Sequence, residues 1–230
     1  MVKRLSIILT VIIGLVIAAE LAMPWLVGGL IARGMTGATG SDRVSADVAK
    51  RPAILMLGGS FDSVRIRAAD ARVDKITFAD LDATLQGVAL DMGALLGSRQ
   101  VVIKTVRNID LVAVITQEEL SRYLNQSVKG IKNAVVQVQG GKVQINSSFS
   151  IGQIASIAIT LDGRIVGDGQ HIKFVTERFL LNNTAVGNIG GAVLTEIQLV
   201  DLRKLPFGVK ARQVSMGDGK VTILADNRTP

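Results

Sequence analysis

The stretch SFDSVRIRAADARVDKITFADLDATLQGVAL, residues 60–90, decides the fold. Apolar side chains recur at every second position: Val64, Ile66 and Ala68, then Val73, then Ile76 and Phe78. After a break come Ala83 and Leu85, and past Gly87, Val88 and Leu90. A period of two marks strands with one wet and one apolar face. Arg65 and Arg67 fall on the wet face of the first run, and Asp70 and Asp74 read as solvated strand ends.

The same period continues downstream. VVIKTVRNIDLVAVIT predicts strands around 101–107 and 109–115. AVVQVQGGKVQINSSF predicts a hairpin, 134–139 and 142–149, turning at Gly140–Gly141. IASIAITLDGRIVGDG predicts another pair with its turn at Asp162–Gly163, and HIKFVTERFLL follows. VKARQVSM and KVTILA form a last pair joined by Gly217–Asp218–Gly219. One helix stands among these strands. Thr116 is its N-cap and Glu119 sits at the third position, a capping-box pattern. Leu120, Tyr123 and Leu124 share a face of that helix, which Val128 and Ile131 would extend. A second helix is a candidate over Val186 to Leu199, although its end also reads as extended chain. The body is therefore expected to be α+β, with a long, strongly curved antiparallel sheet wrapped around or packed on a few helices.

Composition agrees. Twenty-four glycines and four prolines suit many strands and tight turns, and aromatic residues are only 3%. Val, Ile, Leu and Ala must build the core. With few helices to cover one apolar face, an aliphatic-lined groove is one outcome and a filled core the other. There is no cysteine, which excludes disulfides and thiolate chemistry. The net charge of +7 favours anionic partners, but the cations are scattered and no aromatic platform accompanies them, which argues against nucleic acid.

The chain opens with MVKR and then LSIILTVIIGLVIAA, residues 5–19, a basic end before an apolar run. Two readings fit. A signal peptide would be cut near Ala18; a retained anchor would extend to Met23, with Glu20 near the outer interface and Trp25 as an interfacial aromatic. The anchor is favoured, and both readings export the rest. Residues 1–33 are taken as anchor or signal plus an amphipathic helix, with a stripe of Ala22, Leu26, Leu30, Ile31 and Ala32. GMTGATGSD reads as a loop, which makes 34–43 a linker and 44–230 a single domain.

Chemistry is sparse. The one histidine, His171, stands beside a turn with no triad or metal cluster around it, and no phosphate loop occurs. Asp80 and Asp82 are too thin a set of oxygens for calcium. N-x-S/T triplets begin at Asn125, Asn146, Asn182 and Asn227 and read as chance. No catalytic residue, metal site or cofactor is expected.

The order of features carries a resemblance. Pro52, Leu57, Gly59, Phe61 and Val64 open a strand series, and Leu85, Gly87, Val88 and Leu90 form a middle block. Thr116, Glu119 and Leu120 enter the helix, and Leu205, Pro206, Phe207, Gly208, Val214, Gly219 and Val221 close the chain. This arrangement resembles the bacterial LmeA-type phospholipid-binding family over nearly the whole length. The resemblance implies a half-tubular lipid-binding fold with an apolar groove, and noncatalytic phospholipid binding at the envelope, with transfer or lipid maintenance as roles. The protein would be anchored to the outer face of the cytoplasmic membrane or periplasmic. An envelope scaffold binding a protein partner is the alternative, and a lipid-modifying enzyme a more distant one. Acyl contacts would come from Leu55, Leu57, Phe61, Val64, Ile66, Leu120, Tyr123, Leu124, Phe174, Phe179 and Phe207. Arg65, Arg67, Lys204, Lys210 and Arg212 are candidates for an anionic headgroup. In LPFG, Leu205–Pro206 would end a connection, Phe207 cover the groove, and Gly208 permit the bend into the last hairpin.

Overall fold

The computed structural model describes residues 2–151, 155–182, 184–185, 196–205 and 208–228. Helix α1 (Val2–Thr39) leads to strand β1 (Arg43–Ala49) and a 3-10 turn (Ala53–Gly58). Two long strands follow, β2 (Ser60–Val73) and β3 (Ile76–Leu90), then a short helix α2 (Met92–Gly97). Strands β4 (Ile103–Thr105) and β5 (Asn108–Thr116) precede helix α3 (Gln117–Ser127). Next come β6 (Ile131–Gln139), β7 (Lys142–Ile151), β8 (Ala155–Asp168), β9 (His171–Leu181) and β10 (Thr184–Ala185). Strand β11 (Glu196–Asp201), a second 3-10 turn (Leu202–Lys204), β12 (Lys210–Gly217) and β13 (Lys220–Asp226) complete the series.

The chain forms two compact units. Unit 1 takes Met1–Ala68 and Ala83–Ile109; unit 2 takes Ala69–Asp82 and Asp110–Pro230. In unit 1, β1, β2 and β3 are neighbours in that order and β4 lies against β3. In unit 2, the far halves of β2 and β3 are followed by β5, β13 and β12. Both pairings of β13, with β5 and with β12, are antiparallel.

The period-two reading of residues 60–90 holds, with offsets. On β2 the buried set is Phe61, then Val64, Ile66 and Ala68, then Ala71 and Val73. The step of three at 68–71 spans Asp70, whose φ is 53°; it is an irregular mid-strand position rather than a strand end. An extra residue that bends a strand and resets its alternation is a β-bulge. Asp74, with φ 57°, lies in the two-residue turn between β2 and β3.

Unit 2 holds a second, six-stranded antiparallel sheet, β6-β7-β8-β9 with β10 and β11 both against β9. The Gly140–Gly141 turn is observed, with φ of 58° and 76°, the doubly positive pair that a tight hairpin demands. The turn expected at Asp162–Gly163 is not. β8 runs straight through it, and the register instead shifts there: Asp162 faces Arg178 while Gly163 faces Thr176. Glu177 is thus the extra residue of a bulge on β9. A Cβ on Gly163 would lie 2.1 Å from the Val175 carbonyl oxygen, so glycine serves close strand approach rather than a turn.

Helix α3 explains the shape of this sheet. Thr116 caps it through the Glu119 N–H, and Leu120 and Leu124 point into the core. Its other side meets the edge of β6. Gln117 Oε1 accepts from the Val138 N–H, Ser121 Oγ from Val136, and Asn125 both accepts from the Ala134 N–H and donates to its carbonyl. Three side chains four residues apart match every second residue of a strand, because four helical residues rise about 6 Å and two strand residues about 6.6 Å. An open edge is thereby sealed. On the far side Tyr123 Oη donates to the Gln198 carbonyl of β11, 2.8 Å away. In a flat sheet β6 and β11 would stand about 19 Å apart, four strand spacings, too far for one helix to bond both. The sheet therefore curls into a half-barrel on which α3 is packed. The α+β architecture expected from the sequence is the one observed. Helix α3 ends at Ser127, so Ile131 opens β6 instead of extending the helix. Of the second helix candidate, 196–199 is strand and 186–195 lies outside the described residues.

At the N-terminus, α1 continues through Gly34–Thr39, which read as a loop. Packing overrides the glycines here. Val27, Ile31 and Met35, one turn apart, are buried, whereas Leu26 of the expected stripe is half exposed. Gly28 lets β1 approach: a Cβ there would lie 2.4 Å from the Ala46 carbonyl oxygen.

Candidate functional site

The apolar residues expected at a site divide between the units. Phe61, Val64 and Ile66 are buried on the inner face of β2 in unit 1. Leu120, Leu124 and Phe174 are buried in unit 2, where Tyr123 and Phe179 are half-buried. Leu55 and Leu57 are neither: they stand about half exposed on the 3-10 turn of unit 1. Phe207, with Pro206, lies outside the described residues, while Gly208 has the positive φ, 63°, that the expected bend requires.

The bulge at Glu177 assembles the unit 2 group. Phe174 and Phe179 are five residues apart, and a regular strand would send them to opposite faces. With one residue looped out, Phe174 faces Ile165 and Phe179 faces Leu161, so both join the same face of the sheet. The Leu161 and Ile165 partners are themselves buried. Period-two reasoning alone misses this pairing; Gly163, an isolated glycine inside a strand pattern, was the available signal, since such a glycine marks a bulge or a close backbone approach.

Tyr123 adds a polar group on the same helix as the buried Leu120 and Leu124. Burial raises its phenol above the ordinary value, and the nearby Asp74 carboxylate adds to the shift. The phenol therefore remains a donor to Gln198. The outer face of the same sheet is quite different. It carries a shallow depression of about 430 Å³ lined by Gln137, Gln139, Lys142, Gln144, Asp162, Glu177 and Arg178, with Val143 the single apolar contributor. Its polar lining is wrong for acyl chains. Asp162 there resists its partial burial through hydrogen bonds from Gln144 and Arg178, which hold the carboxyl below its usual range.

The basic candidates are engaged locally. Arg67 pairs with Asp47 at 3.4 Å in unit 1, where Arg65 is also exposed. In unit 2, Lys204 meets Asp74 at 2.7 Å, Arg212 meets Asp226 at 2.6 Å, and Lys210 is exposed at the start of β12. Burial opposes ionisation of Asp226, but Arg212 and Arg228 outweigh it and hold the carboxyl low. His171 is half-buried at the start of β9 rather than on the surface. Among the described residues, no three His, Asp or Glu side chains converge as a metal set.

Unit 1 contains one long apolar helix. The helix from Ser6 to Thr39 is long and apolar enough to cross a bilayer, with a mean hydropathy of 2.5 over its most apolar window, none of which is buried. No curated protein and no solved structure matches the chain. Residues 18–226, nearly the whole length, match the model of a family described as LmeA-like phospholipid-binding, and the chain belongs to that family.

Proposed function

We propose that this protein binds a phospholipid without chemistry, with acyl chains against the inner face of the curved sheet in unit 2, while α1 holds it at the outer face of the cytoplasmic membrane. The observation that carries this reading is the family match over 18–226. The geometry supports it. The half-barrel carries one helix, Leu120, Leu124 and Phe174 are buried in this unit, and Phe174 and Phe179 share a face of β9, which is consistent with a common apolar interior. Acyl burial contributes about 0.8 kcal/mol per CH₂, so a short stretch of chain suffices for binding. Tyr123 stands at the edge of this interior, and Lys210, Lys204 and Arg212 supply cations in the same unit for an anionic headgroup. Lys204 and Arg212 would first have to leave Asp74 and Asp226. In the retained-anchor reading α1 runs unbroken from its apolar first half into the part that packs in unit 1 through Val27, Ile31 and Met35.

Native mass spectrometry with lipid extraction, on the detergent-purified full chain, tests the reading. A phospholipid at near-integer stoichiometry is expected, lost in Leu124→Arg, together with an intact mass that includes residues 1–18. Reproducible absence of lipid, with no uptake from anionic or zwitterionic vesicles, overturns it in favour of a scaffold.

A further inference from the structure

We propose that the 3-10 turn Ala53–Gly58 is a membrane wedge, with Ile54, Leu55 and Leu57 inserted into the leaflet from which α1 emerges. This rests on the anchor reading above and adds a second contact with the bilayer. A 3-10 helix has three residues per turn, so Ala53 and Met56 share one face, and both are completely buried. That face packs on α1 within unit 1. The remaining faces carry Ile54, Leu55 and Leu57 at 50%, 49% and 52% exposure. The large apolar residues between Ile7 and Ile17 of the apolar helix show 51% to 65%. The turn is thus as exposed as a segment that only lipid would cover.

Its height relative to the membrane follows from one hydrogen bond. The Ala53 N–H donates to Glu20 Oε1 at 2.7 Å. A hydrocarbon core of about 30 Å takes about 20 helical residues. Counted from Arg4, the span reaches Pro24 and Trp25, where Trp25 is 79% exposed, the place of an interfacial aromatic. Glu20 then lies about one helical turn inside that boundary, and the bond holds the 3-10 turn at the same depth. The backbone N–H gives the Glu20 carboxylate a partner there, which a bare carboxylate at that depth would lack. Lys50 and Arg51 stand just before the Pro52 cap of the turn, where basic side chains meet headgroups, with Lys50 held by Asp62 at 2.8 Å.

The chain has no cysteine, so single-cysteine variants are clean reporters. Ile54→Cys, Leu55→Cys and Leu57→Cys, each in the full chain, carry a nitroxide in vesicles of phosphatidylethanolamine and phosphatidylglycerol. Gly37→Cys is the aqueous reference: it is exposed, nothing lies within 4 Å of its added Cβ, and it stands about 25 Å further along α1. Leu9→Cys is the lipid reference. The ratio of oxygen to nickel-chelate accessibility is expected to be several-fold higher at 54, 55 and 57 than at 37, approaching that at 9. A ratio at 54, 55 and 57 equal to that at 37, with position 9 in lipid, overturns the wedge and leaves the anchor standing. Position 9 in water overturns both. Labels at 54, 55 and 57 shielded from both reagents mark cover by a protein and overturn the wedge as well.

Discussion

The 3-10 turn at Ala53–Gly58 shows Ile54, Leu55 and Leu57 to the outside, whereas the one at Leu202–Lys204 buries Leu202 completely and shows Arg203 and Lys204. Each has a carboxylate on an early N–H. In the second turn that carboxylate is local: Asp201 accepts from the Arg203 N–H and grips its guanidinium. In the first it comes from Glu20, thirty-three residues away on α1, and the residue at the N-cap, Pro52, offers no side-chain bond. A locally capped turn takes its place from its own sequence. A turn capped at long range takes its place from the helix that caps it. The same leucines are core in one setting and surface in the other because the surroundings differ, not the residue type.

The contrast has a direct and large test. Leu202→Ala should lower stability by about 2–5 kcal/mol, the usual cost of emptying a filled core site. Leu57→Ala should change it by less than about 0.5 kcal/mol in detergent. Denaturant unfolding followed by circular dichroism reads both, and equal losses would erase the distinction. The seating of α1 is next. Gly28→Ala puts a Cβ against the Ala46 carbonyl and should cost about 1–3 kcal/mol, while Gly29→Ala, with open space around it, should be neutral or gain up to about 1 kcal/mol of helix propensity.

The long-range cap should be weaker. Glu20→Ala should cost about 1 kcal/mol and speed hydrogen exchange at the Ala53 amide without touching Arg203. The local cap gives the smallest effect, and it depends on pH. The Arg203 guanidinium holds the Asp201 carboxyl at about 2, against an ordinary 3.8, with burial opposing. A lowered folded-state value means the contribution is present above the ordinary value and fades as pH falls from about 4 toward 2. Asp201→Asn should flatten that part of the stability profile, with only a slight change at neutral pH because the pair is exposed.

Much of this was legible in the residues. The alternation in 60–90, the Gly140–Gly141 turn and the Thr116 cap are local signals, and each appears where its local chemistry puts it. What was hidden depends on partners distant in the chain. Gln117 and Ser121 carry no local signal, and Asn125 reads as part of a chance triplet, until β6 stands beside them. Gly34–Thr39 reads as loop until Ile31 and Met35 find something to pack on. Of the acyl candidates, Phe61, Val64, Ile66, Leu120, Leu124 and Phe174 are buried while Leu55 and Leu57 stand half exposed, and the shared face of Phe174 and Phe179 was not legible, because the looped-out Glu177 decides it.

The placement of β13 has a consequence in time. It lies between β5 and β12, and its partner residues in β5 precede it by about a hundred positions in the chain. As the polypeptide emerges, β5 and its buried Leu111, Ala113 and Ile115 must wait, one flank open, until residues 220–226 arrive. Such an edge invites pairing with other chains during synthesis. The protein is therefore most vulnerable before its final hairpin exists, and anything that delays that hairpin puts the nascent chain at risk rather than the finished molecule.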